Sequence, residues 1–434
     1  MENESINVEK TQRILYLLNR FLRSEITKLT ESDREDTIVF HYYYEIIRFW
    51  SKLNFIIKKT LRSIINADFI DNIEVEKYLY STFRIIWEGA PRDLVFKEIK
   101  SYINTDRENF IMFLDKLTSF SWSKALEGKN AEEKLSIEEA VPSFVVQRLA
   151  KVISFQFLKE NIHYMNNISK KTSFTVFVKE GRENIFEENL IFEEDQEIPN
   201  LFHIPMKYKQ EVVKSKSYQS GDLIILDKGS ALIATVLDPK KNEKIGDFCA
   251  APGIKTSLIS WLTNNKVNII AGDFHNERTK IMRNLILNLK VSNIHILNED
   301  SINFPIRFEN YFDRVLLDAP CTGSGTFLSN PEIKWRQNED FLYQNIILQK
   351  KLIGSAIKLL KSNGVFVYST CSLYPEEGEY RILDFLDDLE PLDLPTWVSP
   401  SYKVNNSILP GTGRLFPSVH QTQGFFIGKF KKKG

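Results

Sequence analysis

From residue 222 onward, short runs rich in β-branched and aromatic residues alternate with longer runs of helical periodicity. Strand-like runs fall at 244–249, 268–273, 294–297, 312–318 and 364–370, and helix-like runs at 255–262, 277–289 and 340–360. A strand that returns parallel to its predecessor needs a crossover, usually a helix, so this rhythm predicts an α/β fold built on a doubly wound, Rossmann-like parallel sheet. No other feature restricts the fold so strongly. In such a sheet ligands sit beyond the carboxyl ends of the strands, and the residues at those ends carry the functional reading.

At 434 residues the chain is too long for one typical domain. The first 128 residues read as helices. Ile14, Leu18, Phe21, Leu22, Ile26 and Leu29 form one apolar stripe, and Ile46, Trp50, Leu53, Ile57, Leu61 and Ile64 form another. A polar break at 30–36 and the turn from Gly89 to Pro91 separate helices. The aromatics here, Tyr42 to Tyr44 and Trp87 included, read as helix-bundle core, and no catalytic cluster is present. Beyond Pro142 the pattern is mixed: 172–178 alternates like a strand, 184–197 is acidic, and 203–216 turns basic with Lys207, Lys209, Lys214 and Lys216. A run of this kind is a solvated face or a strip that contacts phosphates. Three domains are expected: helical over 1–135, small α+β over 136–215, and α/β over 216–434.

Lysine plus arginine equals aspartate plus glutamate at 57 each, so nucleic-acid affinity has to come from a local patch. No apolar run approaches the roughly 18 residues that span a bilayer, and the first ten residues are acidic and polar. A protein of the cytoplasm, without a membrane partner, is the expectation. Cys249, Cys321 and Cys371 offer no CxxC pair or zinc spacing, and the six histidines form no HExxH, so no metal site is expected.

The first strand of the α/β region runs through Asp247 and Phe248 into Cys249, Ala250, Ala251, Pro252, Gly253, Ile254, Lys255 and Thr256. Small residues opening a helix let backbone approach a ligand and present amide groups to it. The turn is neither a GxGxxG fingerprint nor a Walker A loop. Asp273 ends the second strand, where a carboxylate can accept hydrogen bonds from both ribose hydroxyls; Asp300 follows the third and Asp318 ends the fourth. Any one of these alone is as readily a cap or turn residue. Cys321 and Cys371 lie in small-residue turns after the fourth and fifth strands, unlike packing cysteines, which sit inside apolar runs. Cys249 reads equally well as packing.

These segments resemble the RsmB/NSUN family of S-adenosylmethionine-dependent RNA cytosine-5 methyltransferases. Cys249 through Gly253 with Lys255 and Thr256 resembles the family's cofactor motif, Asp318 through Gly323 its first catalytic motif, and Thr370, Cys371 and Ser372 its second. Asn330 through Trp335, Gln349 and Gly424 through Phe426 fit the same pattern. The match runs from about Pro142 to Lys432. The helical start resembles, more loosely, the NusB-like RNA-binding domain of the RsmB branch, and the region after it an RNA-recognition-like subdomain. Four features depart from the family pattern: Ile254 replaces a glycine, Thr322 a serine and Gln423 an aspartate, and Phe174 to Val178 lacks an arginine.

The resemblance implies a cofactor site of Cys249, Ala250, Ala251, Pro252, Gly253, Ile254, Lys255, Asp273, Arg278, Asp300 and Asp318 for S-adenosylmethionine, with Asp273 on the ribose and Asp300 near the adenine. It implies Cys371 as nucleophile, Cys321 in release, and Asp318 beside the ring's N3. Residue types alone leave either cysteine free to attack. Carbon 5 of cytosine is a poor nucleophile, so a thiolate must add to carbon 6, an acid must serve N3, and a methyl donor must lie over the ring. The implied activity is 5-methylcytosine formation by a monomer, in small-subunit rRNA processing or, alternatively, on tRNA. An RNA-binding assembly factor with a vestigial cofactor site and a DNA cytosine methyltransferase using Cys321 are the competing readings.

Overall fold

The computed structural model describes residues 5–24, 29–62, 64, 74–103, 107–167, 172–181, 191–304 and 308–434. The chain forms two compact units: Met1–Gln147 with Asn330–Trp335, and Arg148–Ser329 with Arg336–Gly434. Among the described residues no helix is long and apolar enough to cross a membrane.

Among its described residues the first unit carries helices and no strand. Ile14, Leu18, Ile46, Leu53, Ile57 and Leu61 from the two stripes are buried in one core with Tyr42 and Tyr43, while Ile26 lies outside the described residues. The second stripe is two helices, Thr37–Arg48 and Trp50–Leu61, because the backbone leaves the helical region at Phe49 (φ −106°, ψ 13°). The polar break at 30–36 holds a short helix, Glu31–Glu35. Thr30 caps its start by accepting the Asp33 N–H, and Asp36 caps the next helix by accepting from Ile38 and Val39. Arg84, fully buried, meets the equally buried Glu98 at 2.8 Å. The segment Asn330–Trp335 packs into this core: Trp335 Nε1 donates to the Ile47 carbonyl (2.8 Å), and buried Lys334 donates to those of Arg48 (3.0 Å) and Ala140 (3.3 Å).

The second unit carries two main sheets. The smaller contains β1 (Ser173–Val178), β2 (Glu193–Glu194), β3 (Leu201–Pro205) and β4 (Leu223–Leu226), in the antiparallel order β2-β3-β1-β4. The four lysines of the basic stretch follow β3 and are exposed.

In the larger sheet five parallel strands, β5 (Lys244–Phe248), β6 (Asn268–Gly272), β7 (Ile294–Leu297), β8 (Phe312–Asp318) and β9 (Leu360–Thr370), stand in the order β9-β8-β5-β6-β7. The chain winds outward from β5 in one direction and then from β8 in the other, which puts a topological switch point between β5 and β8. Short β10 (Leu389–Pro391) and β11 (Ser399–Pro400), the separate hairpin β12 (Lys403–Val404) with β13 (Ser407–Ile408), and β14 (Thr412–Leu415) precede β15 (Phe425–Lys432), which pairs antiparallel with β9. Alternate residues serve two cores. Leu316 and Val367 join Leu258 and Met282 on one face, while Val315, Leu317, Phe366 and Tyr368 face Leu352 and Ile353 of helix Glu339–Leu359 on the other.

Candidate active site

The turn after β5 is built by tight backbone geometry. Cys249 takes a left-handed φ of 63°, and Gly253 (φ 97°) caps helix Ile254–Leu262; a Cβ on Gly253 would lie 2.7 Å from Met282 Cγ. Ile254, the departure from the family turn, is the first residue of that helix and packs against the core. Cys249 packs against the cluster containing Phe248 and Phe312, in line with its packing reading. Asp247 is 1% exposed on β5 and accepts from Thr256 Oγ1 at 2.6 Å. Burial first, and the neighbouring Asp318 and Asp273 carboxylates as well, push its pKa up to about 7.

Asp273, 2% exposed, ends the β6 segment and accepts the N–H groups of Ala251 (3.2 Å) and His275 (3.0 Å). Arg278 closes this ring, with its guanidinium 3.3 Å from Asp273 and a donated bond to the Ala251 carbonyl. Phe274 beside it is 67% exposed. Asp300 caps a short turn, accepting from Ile302 N (3.0 Å) and Asn303 Nδ2 (3.1 Å). Across the switch point, Lys255 Nζ meets Asp318 Oδ2 at 2.6 Å, and Asp318 Oδ1 accepts from Ser369 Oγ at 2.7 Å. Burial is the largest influence on Lys255 and opposes its charge, but the Asp318 charge and hydrogen bond together with the Asp247 charge are among the contributions that hold the ammonium above its ordinary pKa.

The neighbouring ends of β8 and β9 bring Cys321 and Cys371 together, with their sulfurs 2.9 Å apart and no disulfide between them. The hydrogen bond to Cys371 and then burial hold the Cys321 thiol far above its ordinary pKa, and the Glu377 charge adds to the effect. Either thiol can donate across this contact.

Glu377, which charge pattern in the sequence does not single out, ties the two turns together. Fully buried, it accepts from Thr322 N (2.9 Å), Gln349 Nε2 (2.9 Å) and the Thr322 hydroxyl. Gln349 also donates to the Pro320 carbonyl at 2.8 Å, and the Ser324 and Ser372 hydroxyls lie 3.0 Å apart. Burial raises the Glu377 pKa against the pull of hydrogen bonds from Ser372 and Thr322. Behind the second turn, buried Arg414 grips Glu379 through Nε (2.8 Å) and Nη2 (2.6 Å) and donates to the Ser372 carbonyl (3.0 Å).

Residues 234–431 match a family model described as 16S rRNA methyltransferase RsmB/F. The "Probable ribosomal RNA small subunit methyltransferase B" of Bacillus subtilis is 30% identical over 307 residues, which cover 69% of this chain and 68% of that protein. The chain belongs to the RsmB/F methyltransferase family. An RsmB/F relative of the same name from Synechocystis is 34% identical over 230 residues, but the match spans only half of each chain (51% of this one, 50% of the relative). The crystal structure of PH0851 superposes with a TM-score of 0.79 at 25% identity, covering 99% of this chain and 100% of its own. The fold is that of the class I methyltransferases, and the helical first unit is consistent with the NusB-like start expected of the RsmB branch.

Proposed function

We propose that this RsmB/F protein transfers a methyl group from S-adenosylmethionine to carbon 5 of a cytosine in small-subunit ribosomal RNA. The observation that carries the reading is the pair of thiols, 2.9 Å apart, at the ends of adjacent strands beside the switch point. A thiolate is needed at carbon 6, and a single packing cysteine has no use for such a partner.

The residues present fit the cofactor. Asp247, Asp273 and Asp318 cluster at the strand ends, where Asp273 and Asp318 raise the proton affinity of Asp247 and the Lys255 ammonium lowers it, and the carboxylates offer acceptors to an ammonium group and to ribose hydroxyls. Gly253, Lys255, Asp273 and Arg278 line the turn that would hold it, Asp300 the region beyond β7, and exposed Phe274 offers a ring face to an adenine. When bound, S-adenosylmethionine supplies an electrophilic methyl group.

The protein's side chains perform the remaining work. Cys371 adds as a thiolate to carbon 6 of the cytosine, and Asp318, hydrogen-bonded to the Lys255 ammonium at 2.6 Å, relays a proton from it to N3. After methylation the carbon 5 proton passes to solvent water, its C–H electron pair re-forms the carbon 5–carbon 6 double bond, N3 gives back the proton it gained, and Cys371 leaves as a thiolate. Cys321 supports that release, because a thiol 2.9 Å from the departing sulfur stabilises the thiolate by hydrogen bonding. Residues 1–135 serve RNA binding, 136–215 guide the strand, and 216–434 carry the chemistry.

Incubating the protein with labelled S-adenosylmethionine and total RNA or DNA tests the activity. Label is expected in RNA alone, and label in DNA would favour the DNA-enzyme reading. Bisulfite sequencing of RNA from a strain lacking the protein tests the substrate: loss of a site in tRNA alone would overturn the ribosomal assignment.

A further inference from the structure

We propose that a pocket next to the two cysteines seats the nucleotide flanking the target cytidine, and that Gln423 reads its base; this rests on the RNA methyltransferase reading above. The cavity holds about 260 Å³ and is lined by Tyr164, Thr175, Lys209, Gly325, Ser329 and Gln423, among others. It falls just below the range of cavities that take drug-sized ligands, about 300–1,000 Å³, and suits a single planar ring.

Its wall is continuous with the catalytic turns. The Gly325 N–H donates to the Cys371 carbonyl at 3.0 Å, and the Gly424 N–H donates to the Gly325 carbonyl at 2.8 Å. A Cβ on Gly325 would stand 2.2 Å from the Gly424 carbonyl oxygen, so this contact requires glycine. On this proposal, a strand with its cytosine at Cys371 runs on over the pocket, whose wall Gly325 shares with the Cys371 turn.

The lining has unspent recognition groups. Gln423 is half-buried, and its side-chain amide has no hydrogen-bond partner among the described residues, while its backbone N–H is fixed to Asp227 at 3.3 Å. An amide offers a donor and an acceptor at once, which matches the edge of a base. Tyr164, from helix Phe155–Asn166, is half-buried and gives a ring face for stacking. Lys209 is exposed at the rim and, like Lys207, Lys214 and Lys216, has no carboxylate partner among the described residues. Lys209 thus lies where the flanking phosphate would run.

The test uses the full chain and short single-stranded RNAs in which a central cytidine is flanked by 4-thiouridine on its 5′ or its 3′ side. Irradiation and mass spectrometry should place a crosslink from one of the two RNAs on the peptide containing Tyr164 or Gln423. Gln423→Ala and Lys209→Ala should each lower that crosslink at least fivefold without changing S-adenosylmethionine affinity. Crosslinks confined to other peptides, absent with both RNAs, or insensitive to both substitutions would overturn the pocket's role. Methyl transfer to the same RNAs is scored separately: pocket crosslinks without methylation would fault the enzymatic reading and leave the binding site standing.

Discussion

Glu377 Oε1 accepts the backbone N–H of Thr322 at 2.9 Å, so a buried carboxylate from the turn after Cys371 holds the residue next to Cys321. Two sulfurs on separate strands keep a fixed spacing only if their turns are cross-linked, and this bond, with that of the Thr322 hydroxyl to the same carboxylate, links those turns through one acidic side chain. Glu377→Ala would strand the Thr322 N–H and remove one of the two acceptors of the Gln349 amide, which keeps the Pro320 carbonyl, at a cost of about 1–3 kcal/mol for each buried donor left unpaired. Glu377→Gln keeps an acceptor for both and removes the charge that raises the Cys321 pKa. In urea titrations the alanine variant should lose several times more stability than the glutamine variant. The pH–rate profile of Glu377→Gln should move toward lower pH.

Asp247 gives a second pH signature. Its folded-state pKa of about 7 stands above the ordinary 3.8, so between those values the native state binds a proton that the unfolded state has lost. Stability from this group is therefore full below pH about 4 and declines as pH rises toward 7. Asp247→Asn, which retains an acceptor for Thr256, should lack that decline. The urea midpoint of the variant relative to the wild-type protein should rise from pH 4 to 7, and a flat difference would remove Asp247 from the account.

Asp273→Ala should weaken S-adenosylmethionine binding by about 1–3 kcal/mol in calorimetry, since hydrogen bonds to a buried ligand are lost. The same substitution frees Arg278 and the Ala251 amide, so the turn itself loosens. Asp273→Asn should recover part of the loss. Unchanged affinity in both variants would take Asp273 out of the site.

Among the described residues, Glu379 is the carboxylate that pairs with fully buried Arg414. Removing it leaves a guanidinium uncompensated in the interior, so Glu379→Ala should lower unfolding free energy by about 3–5 kcal/mol. A loss below 1 kcal/mol in denaturant titration would show that the pair does not support the Cys371 turn.

Much of the α/β region is legible in the sequence because a buried parallel strand must be apolar and must end in a turn. β7 and β8 have the expected bounds, and β5 and β6 stop one residue short because Cys249 and Asp273 already belong to the ligand-side turns. The left-handed φ of Cys249 has no sequence signal, since that conformation falls mostly to glycine and asparagine. β9 begins at Leu360, not 364, because Leu360 pairs with Phe312 before a register shift. Glu377 was hidden for a different reason: between Glu376, Gly378 and Glu379 it resembles a solvated acidic turn, and only tertiary packing buries it. Asp300, expected at the cofactor, also has a capping task that a single strand-end carboxylate does not reveal.

The division of labour between the two cysteines is tested most directly by denaturing electrophoresis of the protein with labelled RNA and S-adenosylmethionine. Cys321→Ala should accumulate a covalent protein–RNA adduct, since addition and methyl transfer proceed while release stalls. Cys371→Ala should form no adduct and no 5-methylcytosine, with circular dichroism and cofactor binding intact in both variants. An adduct in Cys371→Ala and none in Cys321→Ala would exchange the roles, and full turnover in both variants would contradict the covalent mechanism.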